Sequence, residues 1–191
     1  MTTMGIALPP WRPLLRAARE REGRSPTSRW LQLATTAADG SPRVRTVVFR
    51  GWADAAVLDL LSDRRSAKAH ELSRQPAVEI CWLLSKARAQ FRLRGQLLSL
   101  PSTLEERERQ RHWQSLNPAA RALWGWPDPG APLEQSAAFP TELADGSSIP
   151  DSFLLLRFAI DQVELLELGG HPHRRRRWRL ATAWQEEALN P

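Results

Sequence analysis

The sequence predicts a mainly β protein with flanking helices, built as an antiparallel barrel or sandwich, and three observations carry that reading. Between Trp30 and Leu100 lie five short segments of alternating or β-branched apolar residues with a single helical segment among them, too few crossovers for a parallel sheet. Turn residues, Asp39-Gly40 and Ser85-Lys86, separate neighbouring segments as hairpins require. At 191 residues, 42% hydrophobic and 25% charged, the chain is expected to form one domain over residues 1–191. A chain of that length buries about 70% of its unfolded surface, so it needs no disulfide or structural metal, in keeping with its single cysteine, Cys81.

The first element is a short helix over residues 13–22. Pro13 suits a first helical turn, Leu14, Leu15 and Ala18 recur at helical spacing, and Gly23 ends the run. Trp30 to Thr36 and Arg43 to Arg50 then form a hairpin about Asp39-Gly40, the second strand alternating Arg45, Val47, Phe49 against Val44, Thr46, Val48. A third strand covers Val57 to Leu61. Ser62 or Ser66 caps a helix from Ala67 to Arg74, which Pro76 closes off. Strands Val78 to Leu84 and Ala89 to Leu100 follow, joined at Ser85-Lys86.

Ser102 or Thr103 opens a charged helix to about Trp113, and Asn117-Pro118 starts another to about Trp124. Its mixed Glu105, Glu106, Glu108 and Arg107, Arg109, Arg111 read as a solvated face. The stretch 125–150 changes character. Its five prolines and three glycines make it a long loop, yet Trp126, Leu133 and Phe139 give it apolar anchors, and a loop of that length is mobile or functional. The chain closes with strands at Phe153 to Ile160, Val163 to Leu168 and Arg174 to Ala183, the last two joined by Gly169-Gly170-His171-Pro172.

Several function classes drop out. No His-Glu-x-x-His, Cys-x-x-Cys, Gly-rich phosphate loop or Gly-x-Ser-x-Gly is present. The four histidines, His70, His112, His171 and His173, have no ligand spacing and read as surface or capping residues, so no metal is expected. No apolar run is long enough to span a bilayer, and Met1 to Trp11 has neither the basic nor the long apolar segment of a leader, which predicts a cytoplasmic protein. The net charge of +6 comes from 25 arginines and only Lys68 and Lys86, scattered except at Arg174 to Arg177. Scatter argues against a nucleic-acid surface. Nine tryptophans without a tyrosine look like core or interface packing, with Trp30, Trp52, Trp82 and Trp184 at strand ends. Cys81, between Ile80 and Trp82, reads as a packed thiol.

One constellation points to chemistry. Arg45 on a strand and Ser62, Ser66 and Lys68 about a helix start are the groups a bound phosphate wants: hydroxyls, cations and free backbone amides. A capped surface helix with solvated cations would use the same residue types.

The order Arg45-Thr46-Val47-Val48-Phe49-Arg50, Leu61-Ser62, Ser66-Ala67-Lys68-Ala69 and Pro76-Ala77-Val78 resembles the flavin motif of the pyridoxamine 5′-phosphate oxidase family and its FMN-binding split-barrel relatives. Gln90 before Phe91-Arg92-Leu93-Arg94-Gly95 is similar to the family's strand glutamine, and Gln135-Ser136 to a pair that a second subunit brings to the flavin. Leu123-Trp124-Gly125-Trp126-Pro127-Asp128-Pro129-Gly130 resembles a little-described branch of the family. The likeness runs on through Asp161-Gln162-Val163-Glu164 to the closing Trp184 and Leu189-Asn190-Pro191.

The resemblance implies an antiparallel split β-barrel, FMN as cofactor and a homodimer with flavin at its interface. It implies flavin contacts at Arg45, Thr46, Val47, Val48, Arg50, Leu61, Ser62, Ser66, Lys68, Gln90, Gln135, Ser136 and Arg177, and substrate contacts at Arg50, His173 and Arg175. Ala67 stands where the oxidase has Arg, Arg50 where it has Lys, and Leu166 where it has Trp; the oxidase's substrate-phosphate Tyr, Arg and Ser have no clear counterpart in the helices after Pro101. The reading is therefore a flavin-dependent oxidoreductase of unassigned substrate. The alternatives are a non-catalytic flavin or haem carrier on the same fold, or a polyanion binder.

Overall fold

A computed structural model describes residues 8–191; the leader reading of Met1 to Trp11 falls largely outside them. Helix α1 spans Trp11–Glu22, so Pro13 sits inside its first turn and the helix starts two residues earlier than Pro13 predicts. Strands β1 (Trp30–Thr36), β2 (Pro42–Asp54) and β3 (Val57–Asp63) form an antiparallel meander, and α2 (Ala67–Arg74) leads to β4 (Ala77–Leu84) and β5 (Ala89–Leu97). Helices α3 (Ser102–Gln114) and α4 (Pro118–Ala122) precede the long loop, after which come β6 (Phe153–Glu167), β7 (Arg174–Arg179) and β8 (Glu186–Leu189). Among the described residues no helix is long and apolar enough to cross a membrane.

The strands run in the order β3-β2-β1-β4-β5-β6-β7-β8, and β3 also pairs with β6. That pairing closes six antiparallel strands into a barrel, with β7 and β8 as an extension off β6. Closure leaves β6 with two kinds of neighbour on one side. Its first half, Phe153 to Ala159, pairs with β3, and its second half, Gln162 to Glu167, pairs with β7.

Two strands were expected where β6 is one. Asp161-Gln162 interrupts the apolar pattern, but the register against β5 shifts between Arg94 and Gly95, so Ile160 pairs with Gly95, Gln162 with Arg94, and Asp161 is bulged out. Gly95 is there because the backbones nearly touch: a Cβ on it would lie 2.1 Å from the Ala159 carbonyl oxygen. The last expected strand also differs. It stops at Arg179, a short turn spans Leu180–Thr182, and Ala183 and Trp184 take φ of 49° and 61° before β8 returns along β7. No Gly, Asn or Asp marked that reversal. Trp184 is anchored instead by its edge contact with Trp11, 5.8 Å between centroids.

Inward-facing Leu31, Leu33, Leu58, Leu60, Ile80, Trp82, Leu93 and Phe158 fill the barrel, with Leu15 of α1 and Leu72 of α2 in the same core. A second cluster, Trp113, Leu116, Trp124 and Phe153, seats α3 and α4 on the outside of β6. The charged face of α3 is not simply solvated. Glu108 and His112 turn to the sheet, where buried Asp59 of β3 accepts from Arg157 Nε at 2.7 Å and Nη2 at 2.8 Å, and His112 Nε2 lies 2.9 Å from its carboxylate. His112 is thus a buried anchor, not a surface histidine; charge spacing along a helix does not reveal which side docks. Asn117 does cap α4, accepting from the Ala120 amide at 2.7 Å.

The stretch 125–150 carries neither strand nor regular helix beyond its first residue, but it is tied down. Trp126 Nε1 donates to the Pro140 carbonyl at 2.9 Å, Trp113 Nε1 to that of Ser147 at 3.0 Å, and Arg65 of the β3–α2 turn pairs with Asp128 at 2.7 Å.

Candidate functional site

Ser62 is the last inward-facing residue of β3, and Ser66 occupies the N-cap position of α2. The turn between them brings the two buried hydroxyls to 3.3 Å. Ser66 Oγ donates to the Asp63 carbonyl at 2.6 Å and so caps nothing; no side chain covers the first amides of α2. The expectation of a serine cap is corrected on that point. An uncapped first turn leaves N–H groups and the positive end of the helix available to an anion.

Lys68, in the first turn of α2, donates from Nζ to Ser66 Oγ at 3.1 Å. Burial and the neighbouring charge of Arg45 lower its pKa against the pull of Asp63 and Glu71. Those acids already have partners. Asp63 holds Arg65 at 2.6 Å, and Glu71 holds Arg45 at 2.6 Å. Burial disfavours charge on Asp63, but the hydrogen bonds from Arg65 prevail and keep its carboxyl below the ordinary range. Arg45 also donates to Thr35 Oγ1, which itself donates to Glu71. Its guanidinium is therefore fixed at the α2 end of the barrel. Lys68 is left as a half-desolvated ammonium whose only hydrogen-bond partner among the described residues is a hydroxyl.

This donor set fits a phosphate monoester: two hydroxyls, an ammonium short of a counter-charge and an open helix start. Sequence reasoning brought Arg45, Ser62, Ser66 and Lys68 together, and the fold does the same. It missed Thr35 and Glu71, which orient Arg45 from 10 and 26 residues away and which no local pattern marks.

The other candidates lie mostly on the outer face of the sheet. The registers place Thr46 and Val48 of β2 beside Gln32 and Trp30, Gln90 of β5 beside Leu166, and Arg175 and Arg177 beside Leu166 and Glu164. Val47 faces inward and is buried in the core, so only its backbone is available to a ligand. Leu61 packs on the Trp113–Trp124 cluster, and Trp124 Nε1 donates to the Ser62 carbonyl at 2.8 Å, fixing the strand end that presents the hydroxyl.

Gln90, Arg92, Glu164, Leu166 and Arg175 line a small hollow of about 80 Å³. Glu164 is its hub, bound by Arg175 at 2.5 Å with Arg92 at 3.6 Å and Arg177 at 3.9 Å. Burial opposes the charge of Glu164, but the Arg175 hydrogen bond and these cations hold its pKa below the usual value. Arg177 is further engaged by Glu187 at 2.9 Å.

Arg50 is half-buried, its Nε has no partner among the described residues, and burial together with nearby Arg29 lowers its pKa. His173 is exposed and held at its turn by Nδ1 3.0 Å from the Gly170 carbonyl oxygen. Gln135 and Ser136 are exposed on the long loop, outside the phosphate-suited cluster.

Comparison with known proteins fits this geometry. Residues 8–101 match the family described as pyridoxamine 5′-phosphate oxidase, FMN-binding domain. The chain is 32% identical over 171 residues to pyridoxine/pyridoxamine 5′-phosphate oxidase 2 of Arabidopsis thaliana, covering 86% of each. A crystal structure of a pyridoxamine 5′-phosphate oxidase-related, FMN-binding protein from Nostoc punctiforme superposes with a TM-score of 0.88 at 37% identity, over 97% of this chain and 100% of that one. PhzG from Burkholderia lata, solved with tetrahydrophenazine-1-carboxylic acid, shares the fold with a TM-score of 0.76 at 20% identity, over 94% of this chain and 90% of that one. With its closed six-strand barrel, its flanking helices and these two relatives above 30% identity, the chain belongs to the pyridoxamine 5′-phosphate oxidase family of FMN-binding split barrels.

Proposed function

We propose that this protein binds FMN and works as a flavin-dependent oxidoreductase, as a homodimer with the flavin at its interface. The observation that carries the reading is the Ser62–Ser66–Lys68 cluster, in which a half-buried ammonium lacks a carboxylate of its own among the described residues. Ser62, Ser66, Lys68 and the first amides of α2 would hold the FMN phosphate, with Arg45 adding its field from the barrel end. Thr46, Val48, Arg50 and Gln90, on the outer face, would lie against the rest of the flavin. When bound, FMN supplies the hydride or electron transfer. The side chains position it and shield it from water.

The same outer face supports the dimer. Trp30, Val44 and Leu83 are exposed there on β1, β2 and β4, with Cys81 half-buried among them and its thiol pKa pushed up by burial. A sheet face so apolar and uncovered in one chain is a surface for a second copy. Gln135 and Ser136, which face solvent, would reach the flavin of the partner.

The test compares FMN with riboflavin. The protein should bind FMN more tightly, and Lys68→Ala should weaken FMN about tenfold or more while leaving riboflavin unchanged, since one charge-assisted contact is lost. Raising the pH through the lowered Lys68 pKa should weaken FMN in the same way. Equal affinity for FMN and riboflavin in the unaltered protein would overturn the phosphate assignment.

A further inference from the structure

A second cationic site lies between α1 and the end of β2. Leu8, Leu15 and Trp52 wall a cleft of about 220 Å³, and Arg12, Arg16 and Arg19 rim it. Arg12 sits over the Trp52 indole with its guanidinium carbon 3.8 Å from the ring centroid. Arg19 stands over Phe49 at 4.6 Å and Trp82 at 5.0 Å. Both guanidiniums are thus held rigidly by aromatic faces.

Their polar partners are few. Arg12 donates from Nη1 to the Asp54 carbonyl at 3.2 Å and to that of Ala55, and Arg19 donates from Nε to the Ser28 carbonyl at 2.9 Å. A guanidinium has five N–H donors, so among the described residues each keeps a free edge. Elsewhere in the molecule Arg45, Arg121, Arg157 and Arg176 each hold a carboxylate. Arg12 feels the charge of Arg19 and, in the opposite sense, that of Asp54 through space, while Arg19 feels that of Arg29. Burial and the charge of Arg19 lower the Arg12 pKa to about 10. Arg16, on the rim, has only a loose exposed pair with Glu20 at 3.8 Å.

Two preorganised cations that hold no carboxylate among the described residues, beside an apolar wall, form a site for an anion with a flat body. We propose that this cleft binds a small aromatic anion, an aryl phosphate or aryl carboxylate, with its ring against Leu15 and Trp52 and its charged group on the free edges of Arg12 and Arg19. The volume is enough for a single ring and one anionic group, and too small for a flavin. The site shares no residue with the Ser62–Lys68 cluster, so it stands whether or not that cluster holds FMN.

Calorimetric titration of the full-length protein with phenyl phosphate at low ionic strength, with and without saturating FMN, tests the proposal, and benzoate provides the carboxylate arm. Saturable binding at one site per chain, unaffected by FMN, is expected for at least one probe. Methyl phosphate, which lacks the ring, and benzyl alcohol, which lacks the charge, should bind about tenfold weaker or less. Arg12→Gln and Arg19→Gln should each weaken the binding probe about tenfold or more. Arg12→Lys keeps the charge over Trp52 but loses the planar fork, so a weakened affinity at unchanged melting temperature separates ligand binding from folding. No saturable binding of either probe, binding that FMN abolishes, or affinity unaltered in both glutamine variants would each overturn it.

Discussion

Replacing Asp59 with Ala should be among the most damaging single changes outside the hydrophobic core. The carboxylate is 1% exposed and accepts from Arg157 at 2.7 and 2.8 Å, while His112 Nε2 lies at 2.9 Å and Arg111 Nη2 at 3.4 Å. Removing it leaves Arg157, whose side chain is 8% exposed, with Glu108 at 2.8 Å as its remaining carboxylate. A buried cation stripped of its main partner costs about 3–5 kcal/mol. For a chain of this size that is a large part of the usual stability of about 5–15 kcal/mol. At about 2–4 °C per kcal/mol the melting temperature should fall by about 6–20 °C. Arg157→Met in the same chain should recover part of the loss, because replacing both charges by apolar groups removes the uncompensated one.

The pH dependence has the same origin. Burial disfavours the ionised Asp59, but hydrogen bonds from Arg157 and His112 outweigh it and hold its pKa below the ordinary value, and the Arg157 hydrogen bond does the same for Glu108. These carboxylates therefore stabilise the fold above their unfolded pKa values of about 4. That contribution is lost as pH falls below about 4 and through their lowered native values. Thermal melts of the single and double variants at neutral pH and at pH 3 measure both effects. An Asp59→Ala variant that melts within 2 °C of the unaltered protein, or a double variant no more stable than the single, would refute the reasoning.

Gly95→Ala should destabilise the barrel by about 1–3 kcal/mol or more, because its Cβ would meet the Ala159 carbonyl oxygen at 2.1 Å and the β5–β6 bulge has to move; denaturant unfolding measures it. The FMN-loaded protein should oxidise pyridoxamine or pyridoxine 5′-phosphate far more slowly than an authentic oxidase. Arg50 stands for a substrate-facing Lys, and a misplaced positioning group costs on the order of 100-fold in rate. Aldehyde formation and oxygen uptake report it, and a rate equal to an oxidase's would show that Arg50 is an adequate substitute.

The sequence by itself determined the strand-rich core, the hairpin at Asp39-Gly40, the Asn117 cap and the grouping of Arg45, Ser62, Ser66 and Lys68. These rest on short-range chemistry: alternation, turn residues, a capping side chain, and hydroxyls and a lysine about a helix start beside a strand that hairpin pairing brings alongside. Only the tertiary structure decided that β6 runs unbroken through Asp161-Gln162, since the bulge that absorbs Asp161 is defined by the register of β5. Likewise the reversal at Ala183-Trp184 is held by Trp11 from the far end of the chain. The partners of the charged groups were equally hidden. Glu71 for Arg45, Asp59 for His112 and the aromatic faces beneath Arg12 and Arg19 are all supplied by other elements. A charge in a sequence fixes what it can bind; which group it meets, and whether it meets any, is set by barrel closure, which juxtaposes residues that no local spacing relates.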